Sequence, residues 1–159
     1  MHSYDSGTIN DCLLPATVAL RDYWLEKQAK AGGVPRYCDV DLMDLYRIAH
    51  LLSVKDVIND GEDFSNRYWG TELCRALGFE ATGMRVSEYK PEPLRDNLLR
   101  RYRSVTQHKT PESRRAEIEH LQHRKFVTYE ALHVPFLDRD GNNVSQIMTA
   151  FEFNIPLER

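Results

Sequence analysis

Apolar residues recur at helical spacing in the first part of the chain and alternate with polar ones in the last part. The first block predicts a helix from about Leu14 to Ala31, with Asp11 placed to cap it and Pro15 in its first turn. Gly32-Gly33 followed by Pro35 stops it. Leu13, Leu20 and Trp24 mark one edge of its apolar stripe, and Leu14, Val18 and Leu25 the other. So broad a stripe suggests a sheet on one side and a partner chain on the other. The plainer alternative has the helix covering only its own domain's sheet.

The segment DVDLMDLYRIAHL reads as an acidic helix start, with Asp41 and Asp44 in a first turn where the helix dipole favours negative charge. Its aspartates do not make a calcium loop, because Asp44 and His50 stand where an EF-hand needs Gly and Glu. Leu51 to Ile58 reads as a strand, Asn59-Asp60-Gly61 as a turn and Phe64 to Trp69 as the returning strand. TELCRALG is a short helix with Leu73, Ala76 and Leu77 on its apolar side. Beyond Pro91 and Pro93, Leu94, Leu98, Tyr102 and Val105 give a helix from Leu94 to about Thr106. The run 112–123 has good helix formers, yet Ala116, Ile118 and His120 alternate, and we read it as a strand. KFVTYEALHVPF and NVSQIMTAFEF are strands joined through Asp140-Gly141. The order predicts an α+β fold with helices over one antiparallel sheet.

Length and composition narrow the classes. A chain of 159 residues suits one domain. With 42% hydrophobic and 28% charged residues and a net charge of −3, neither disorder nor bulk attraction to nucleic acid is implied. Three widely spaced cysteines, Cys12, Cys38 and Cys74, form no CxxC pair, which argues against structural zinc or a disulfide framework. The N-terminal residues lack a signal-peptide pattern, and no apolar run approaches the ~20 residues of a membrane helix. A cytoplasmic protein with no membrane contact is the expectation.

Three stretches carry a family resemblance. DYWLEKQAKAGGVPRYCDVDLMDLYRIAHLLSVKDV has a Tyr-Trp helix, a loop ending in Pro, an aspartate-rich turn and a strand ending in Val. FSNRYWGTELCRALGFEATGMRVSEY has an Arg-x-x-Gly-Thr step, a Gly before a bend and a Thr-Gly after it, and YEALHVPFLDRDGNNVSQIM has the Asp-Gly hairpin. Over Leu20 to Phe153 the chain resembles a proteobacterial family of short PAS-type sensory proteins. LYRIAHLL departs from that family's Leu-Pro pair, and the charged run 107–125 departs as well. The resemblance implies a PAS-like five-stranded antiparallel sheet with a helical crossover and an N-terminal flanking helix. It divides the chain into a tail (1–13), the helix (14–33) and the PAS-like domain (34–159). It also implies a stand-alone sensor or adaptor in bacterial signal transduction, acting through a signalling protein partner and without catalysis of its own.

PAS domains hold haem, flavin or small metabolites, and the residues can be set against each. Val86 stands where light-sensing relatives carry the flavin-adduct cysteine, and Cys74 reads as a small buried apolar residue, so adduct chemistry is disfavoured. For haem the candidate ligands are His50, His120, His123 and His133, and each reads better as a packed or solvated side chain. His133 alternates with Leu132 and Val134, and its expected place is against the N-terminal helix. The cofactor stays unknown, with a small apolar metabolite open. Trp69, Leu73, Leu77, Met84, Leu98, Leu132 and Val134 are the expected pocket lining. Leu20, Tyr23 and Trp24 are the expected interface of a homodimer.

Two other classes compete. Arg95, Arg100, Arg101, Arg103, Lys109, Arg114, Arg115, Arg124 and Lys125 form a basic segment of the kind that binds nucleic acid. Interleaved Asp96, Glu112, Glu117 and Glu119 favour a solvated surface instead. A cone-shaped α+β isomerase would need a buried acid or His against a Tyr donor. Tyr68, Tyr102 and Tyr129 are available, but the sequence places no acid beside them. No serine has a nucleophile-elbow context, and GMRVSEYKPE is no phosphate loop.

Overall fold

The computed structural model describes residues 6–117 and 128–154. Its elements are β1 (Ser6–Gly7), α1 (Pro15–Ala31), β2 (Leu52–Ile58), β3 (Asp63–Trp69), α2 (Thr71–Leu77), α3 (Glu92–His108), β4 (Glu112–Glu117), β5 (Thr128–Leu137) and β6 (Val144–Asn154). The strands form one antiparallel sheet in the order β1-β4-β5-β6-β2-β3. The first hairpin, β2–β3, therefore joins the last strand, and β6 lies centrally between β5 and β2. The described sheet has six strands rather than the expected five, because two residues near the N-terminus add to the edge at β4. The expected strand over 112–123 is present as far as Glu117, and Ile118, His120 and His123 lie outside the described residues. The expected helix after Asp41 is instead two short 3-10 turns, Leu42–Leu45 and Ala49–Leu51, the first capped by Asp41.

Period-two alternation gives the sheet two apolar faces. One carries Leu52, Val54, Leu132, Val134, Phe136, Met148 and Ala150 and is covered by α1 through Leu20 and Trp24. The other carries Phe64, Trp69, Ala131, Ile147 and Phe151 and is covered by the chain from α2 to α3 through Leu73, Val86, Tyr89, Leu99, Tyr102 and Val105.

Helix α1 begins without a side-chain cap of its own, its N-cap being Leu14. Asp11, expected to cap it, closes the preceding 3-10 turn with Thr8. The free N–H groups are taken by the sheet. Glu130 of β5 accepts from the backbone of Leu13 and Leu14 at 3.0 Å each, and Glu152 of β6 accepts from Ala16 at 3.2 Å. Glu130 also accepts from the Thr17 hydroxyl and from Arg115 Nε at 2.8 Å.

This seating takes Leu20 and Trp24 out of the expected dimer contact. Leu20 is 0% and Trp24 2% exposed within a single chain, and the Trp24 indole donates to the Pro135 carbonyl at 2.8 Å. Tyr23 is half-buried and its hydroxyl meets Asp44 at 3.1 Å. The stripe is narrower than it reads because Leu13 lies before the helix and is exposed, and Leu25 faces outward. Trp24→Ala should therefore cost about 3–5 kcal/mol in urea unfolding, and a charged residue there should abolish folding rather than release a folded monomer. Glu130→Gln should cost about 2 kcal/mol in the same measurement, because the capping hydrogen bonds lose their ionised acceptor.

Candidate functional site

The aromatic stretch between Asn66 and Tyr89 builds one side of a cavity on the α3 face of the sheet. At the Gly-Thr step Gly70 donates its N–H to the Leu52 carbonyl at 2.8 Å. A Cβ there would lie 2.4 Å from the His50 carbonyl oxygen, so only glycine allows this approach. Helix α2 starts at once and ends on Gly78, whose φ of 87° turns the chain back. That return stacks Phe79 on Trp69 with ring centres 5.5 Å apart, and the Trp69 indole donates to the Phe79 carbonyl at 3.1 Å. Asn66 holds the next bend to β3: its N–H donates to the Met84 carbonyl and its own carbonyl accepts from Gly83, both at 2.9 Å. Its side-chain amide meets the Tyr89 hydroxyl, which brings Tyr89 edge-on to Phe79.

Between this wall, α3 and the strands β4 to β6 lies a cavity of about 450 Å³. Its walls are chiefly aromatic and aliphatic: Trp69, Leu77, Phe79 and Tyr89 on one side, Leu94, Leu98 and Tyr102 from α3, and Tyr129 and Phe151 from the sheet. Pro91 and Pro93 stand at the mouth, and Asn97, Arg114 and Glu117 are the polar and charged lining.

Of the seven side chains expected to line a pocket, Trp69, Leu77 and Leu98 do so. Leu73 and Met84 belong to the same core but pack behind the wall. Leu132 and Val134 do not belong here: they point to the opposite face, beneath α1. Alternation correctly separates them from His133 but does not say which face meets which helix. His133, expected against the N-terminal helix, lies instead under α3, its ring 5.1 Å from that of Tyr102 and its Nδ1 2.7 Å from Thr149 Oγ1. Burial lowers its pKa to about 3, with Lys55 and Arg114 adding repulsion, so it is neutral at pH 7.

Behind the cavity wall sits a charged side chain that the strand pattern does not single out. Lys55 of β2 is 0% exposed. Its ammonium lies over the rings of Tyr102 and Trp69, at 4.7 and 5.4 Å from their centres, and donates to Ser53 Oγ at 2.9 Å. No carboxylate lies within ion-pair distance of it among the described residues. Burial lowers its pKa from 10.5 to about 7. The signal that could have revealed it is the central position of β2, paired on both edges in a sheet covered on both faces.

The other chemistries fare as follows. The described lining contains no histidine, cysteine or methionine, so neither His50 nor His133 enters it; His120 and His123 lie outside the described residues. His50 is exposed on the other side of the sheet's end. Cys74 is half-buried rather than buried, its Sγ 3.1 Å from Glu80, and burial raises its pKa, with Glu80 adding to the rise. Among the described residues no group of three His, Cys, Asp or Glu side chains can hold a metal ion, and no helix is long and apolar enough to cross a membrane. The basic segment is not a continuous patch. Arg95 pairs with Asp96, Arg101 meets Ser6, Arg103 holds the carbonyls of Gly61 and Glu62, Lys109 holds Asn142, and Arg115 pairs with Glu130. Arg124 and Lys125 lie outside the described residues. Of the groups an isomerase would need, buried Asp63 is taken up by Ser87 and the Phe64 N–H, Glu117 stands in the lining with Tyr129, and buried His133 meets Tyr102 edge-on.

An antiparallel sheet, a helical crossover and a cavity between them have a counterpart among known families. The family model for the PAS domain matches residues 13–149. The chain belongs to the PAS-domain family. That places it among sensory and signalling modules, which are generally non-catalytic. No curated protein and no solved structure matches the chain.

Lys55 makes a pH prediction for this PAS domain. In the unfolded chain it stays protonated up to about pH 10.5, and in the folded chain only up to about 7. Between these values the unfolded state binds more protons, so stability rises with pH; below about pH 7 the full cost of burying the charge is present. Lys55→Met should then be about 2–3 kcal/mol more stable than wild type at pH 7, after the lost ring contacts are discounted. The difference should shrink toward pH 10 in parallel urea titrations.

Proposed function

We propose that this PAS domain is a sensor that holds a small ligand in the α3-face cavity and relays its presence to a partner signalling protein, without turnover. The observation that carries this reading is the aromatic cavity of about 450 Å³, a volume within the range that encloses small organic ligands. Its wall is built by the Gly70–Tyr89 stretch, whose local hydrogen bonds serve to shape that wall. The same α3 that lines the cavity with Leu94 and Leu98 presents exposed Asp96, Arg100 and Arg103 outward, so a ligand on one face bears on a surface open to a partner on the other. A cytoplasmic place is consistent with this role. With Leu20 and Trp24 buried inside the chain, a homodimer would have to use other surfaces.

Filling the cavity tests the reading. Native mass spectrometry of the purified protein should show a retained small molecule, or uptake of one from a metabolite extract. Leu98→Trp should abolish it while leaving the unfolding midpoint within about 1–2 kcal/mol of wild type, since Leu98 is half-buried at the wall. Turnover of a small molecule, lost on changing one wall residue, would instead make the protein an enzyme.

A further inference from the structure

We infer that the cavity selects an organic anion, a flat or apolar body bearing a carboxylate-like group, with Arg114 as the residue that recognises the charge. The inference rests on reading the cavity as a ligand site. Three observations converge on it.

The first is Arg114 itself, on the wall of a mostly apolar enclosure. Its Nε is buried and has no hydrogen-bond partner among the described residues. A buried donor left unmade is costly, and a charged planar fork of donors is the group best matched to a carboxylate. Alternation explains its placement. Arg114 stands opposite Ala131 and shares the α3 face with it, whereas its neighbour Arg115 turns to the other face and pairs with Glu130.

The second is Lys55. Its ammonium is sealed behind Trp69 and Tyr102, two rings of the cavity wall, with no carboxylate at ion-pair distance among the described residues. An aromatic cage would ordinarily favour a cation. Here a cationic ligand would face a buried positive charge through the same two rings, and an anionic one would be drawn to it.

The third is the disposition of the remaining ionisable groups. Glu117 is the one acidic residue of the described lining; it stands three residues further along β4, opposite Thr128, and is itself engaged. Asp63 is bound to Ser87 and the Phe64 N–H, and His133 is held neutral beside Tyr102 and Thr149. Burial raises the pKa of the Tyr89 and Tyr102 hydroxyls, so both stay protonated donors at neutral pH. Glu112 shares the α3 face two residues from Arg114, with its Oε2 buried and without a partner among the described residues, but it is not part of the lining; within the lining Arg114 is the group that offers a cation.

An isosteric series separates charge from shape. Calorimetric titration at pH 7 with 2-naphthoate, naphthalene-2-carboxamide and (2-naphthyl)methylammonium should give the carboxylate about tenfold tighter binding than the amide, as one charge-assisted hydrogen bond would supply, with the ammonium weakest. In Arg114→Gln the carboxylate should lose its advantage over the amide, with a cooperative urea unfolding curve showing that the variant folds. Equal affinities across the series, tighter binding of the ammonium, or a carboxylate preference that survives in Arg114→Gln would overturn the assignment and leave the cavity a ligand site. Binding of none of the three probes would overturn the cavity reading and the anion assignment with it. Should Arg114→Gln fail to fold, the ranking of the three probes on the wild-type protein decides.

Discussion

The arrangement depends on where two carboxylates of the sheet point. Glu130 and Glu152 stand directly opposite each other on β5 and β6. Like charges in register on one face would ordinarily push the strands apart. They are accommodated because the N-terminus of α1 arrives above them and brings backbone N–H groups and the positive end of its dipole. Burial works to raise the Glu130 pKa, yet hydrogen bonds from Thr17, Leu14, Arg115 and Leu13 bring it below its ordinary value. Its contribution is therefore present above the ordinary carboxylate pKa and is lost as pH falls through the lower, folded value. Once α1 is tied to that face, Leu132, Val134 and Phe136 must pack beneath it. The other face is left for α2 and α3, and the aromatic cavity lies there.

That second face carries groups that a sheet optimised for stability would avoid. Lys55 and His133 are both basic, both fully buried and both forced toward neutrality by burial. Sheet centres of this kind are normally filled with β-branched or aromatic side chains. Places where a fold departs from its local rules without structural gain tend to be functional. Here the departures cluster behind one wall of one cavity, Lys55 against Trp69 and Tyr102, His133 against Tyr102 and Thr149. Tyr102 touches both, and it links the cavity to the buried polar groups.

Much of the fold was legible in the sequence because it rests on short-range signals. The Asn59-Asp60-Gly61 turn, the Pro15 and Gly32 bounds of α1 and the Leu94–Leu98–Tyr102 spacing of α3 correspond to observed elements. What alternation could not supply was the facing of each strand. It groups Leu132 with Val134 and separates His133 from them, but the choice of face is made by Glu130 reaching α1, a contact 116 residues apart in sequence from its Leu14 partner. The same limit hid half of the candidate site. Phe79 and Tyr89 of the 66–89 stretch, Tyr129 of β5 and Phe151 of β6 reach the cavity by tertiary folding of three separate segments. The strand pattern does not mark Lys55 as buried, because a strand with Leu52 and Val54 on one face ordinarily turns the alternate residues to water. Only the second cover of α2 and α3 removes that water. The acidic turn after Asp41 misled for another reason: aspartates that favour a helix start serve a 3-10 turn equally well.

The two halves of α3 are held differently, and that difference bears on how a bound ligand would be read. Toward its C-terminus, Tyr102 and Val105 are buried and Arg103 grips the carbonyls of Gly61 and Glu62 at 2.9 and 2.8 Å. Toward its N-terminus, Leu94, Asn97 and Leu98 are half-buried and border open cavity. A ligand therefore adds contacts to the loosely held half of a helix whose other half is fixed. Such contacts shift a population only if they differ between two positions of that half, since a ligand that meets both positions equally moves nothing. The walls opposite α3 are anchored to the sheet by the Trp69 and Asn66 hydrogen bonds, while the α3 wall carries no equivalent tie at Leu94 or Leu98 among the described residues.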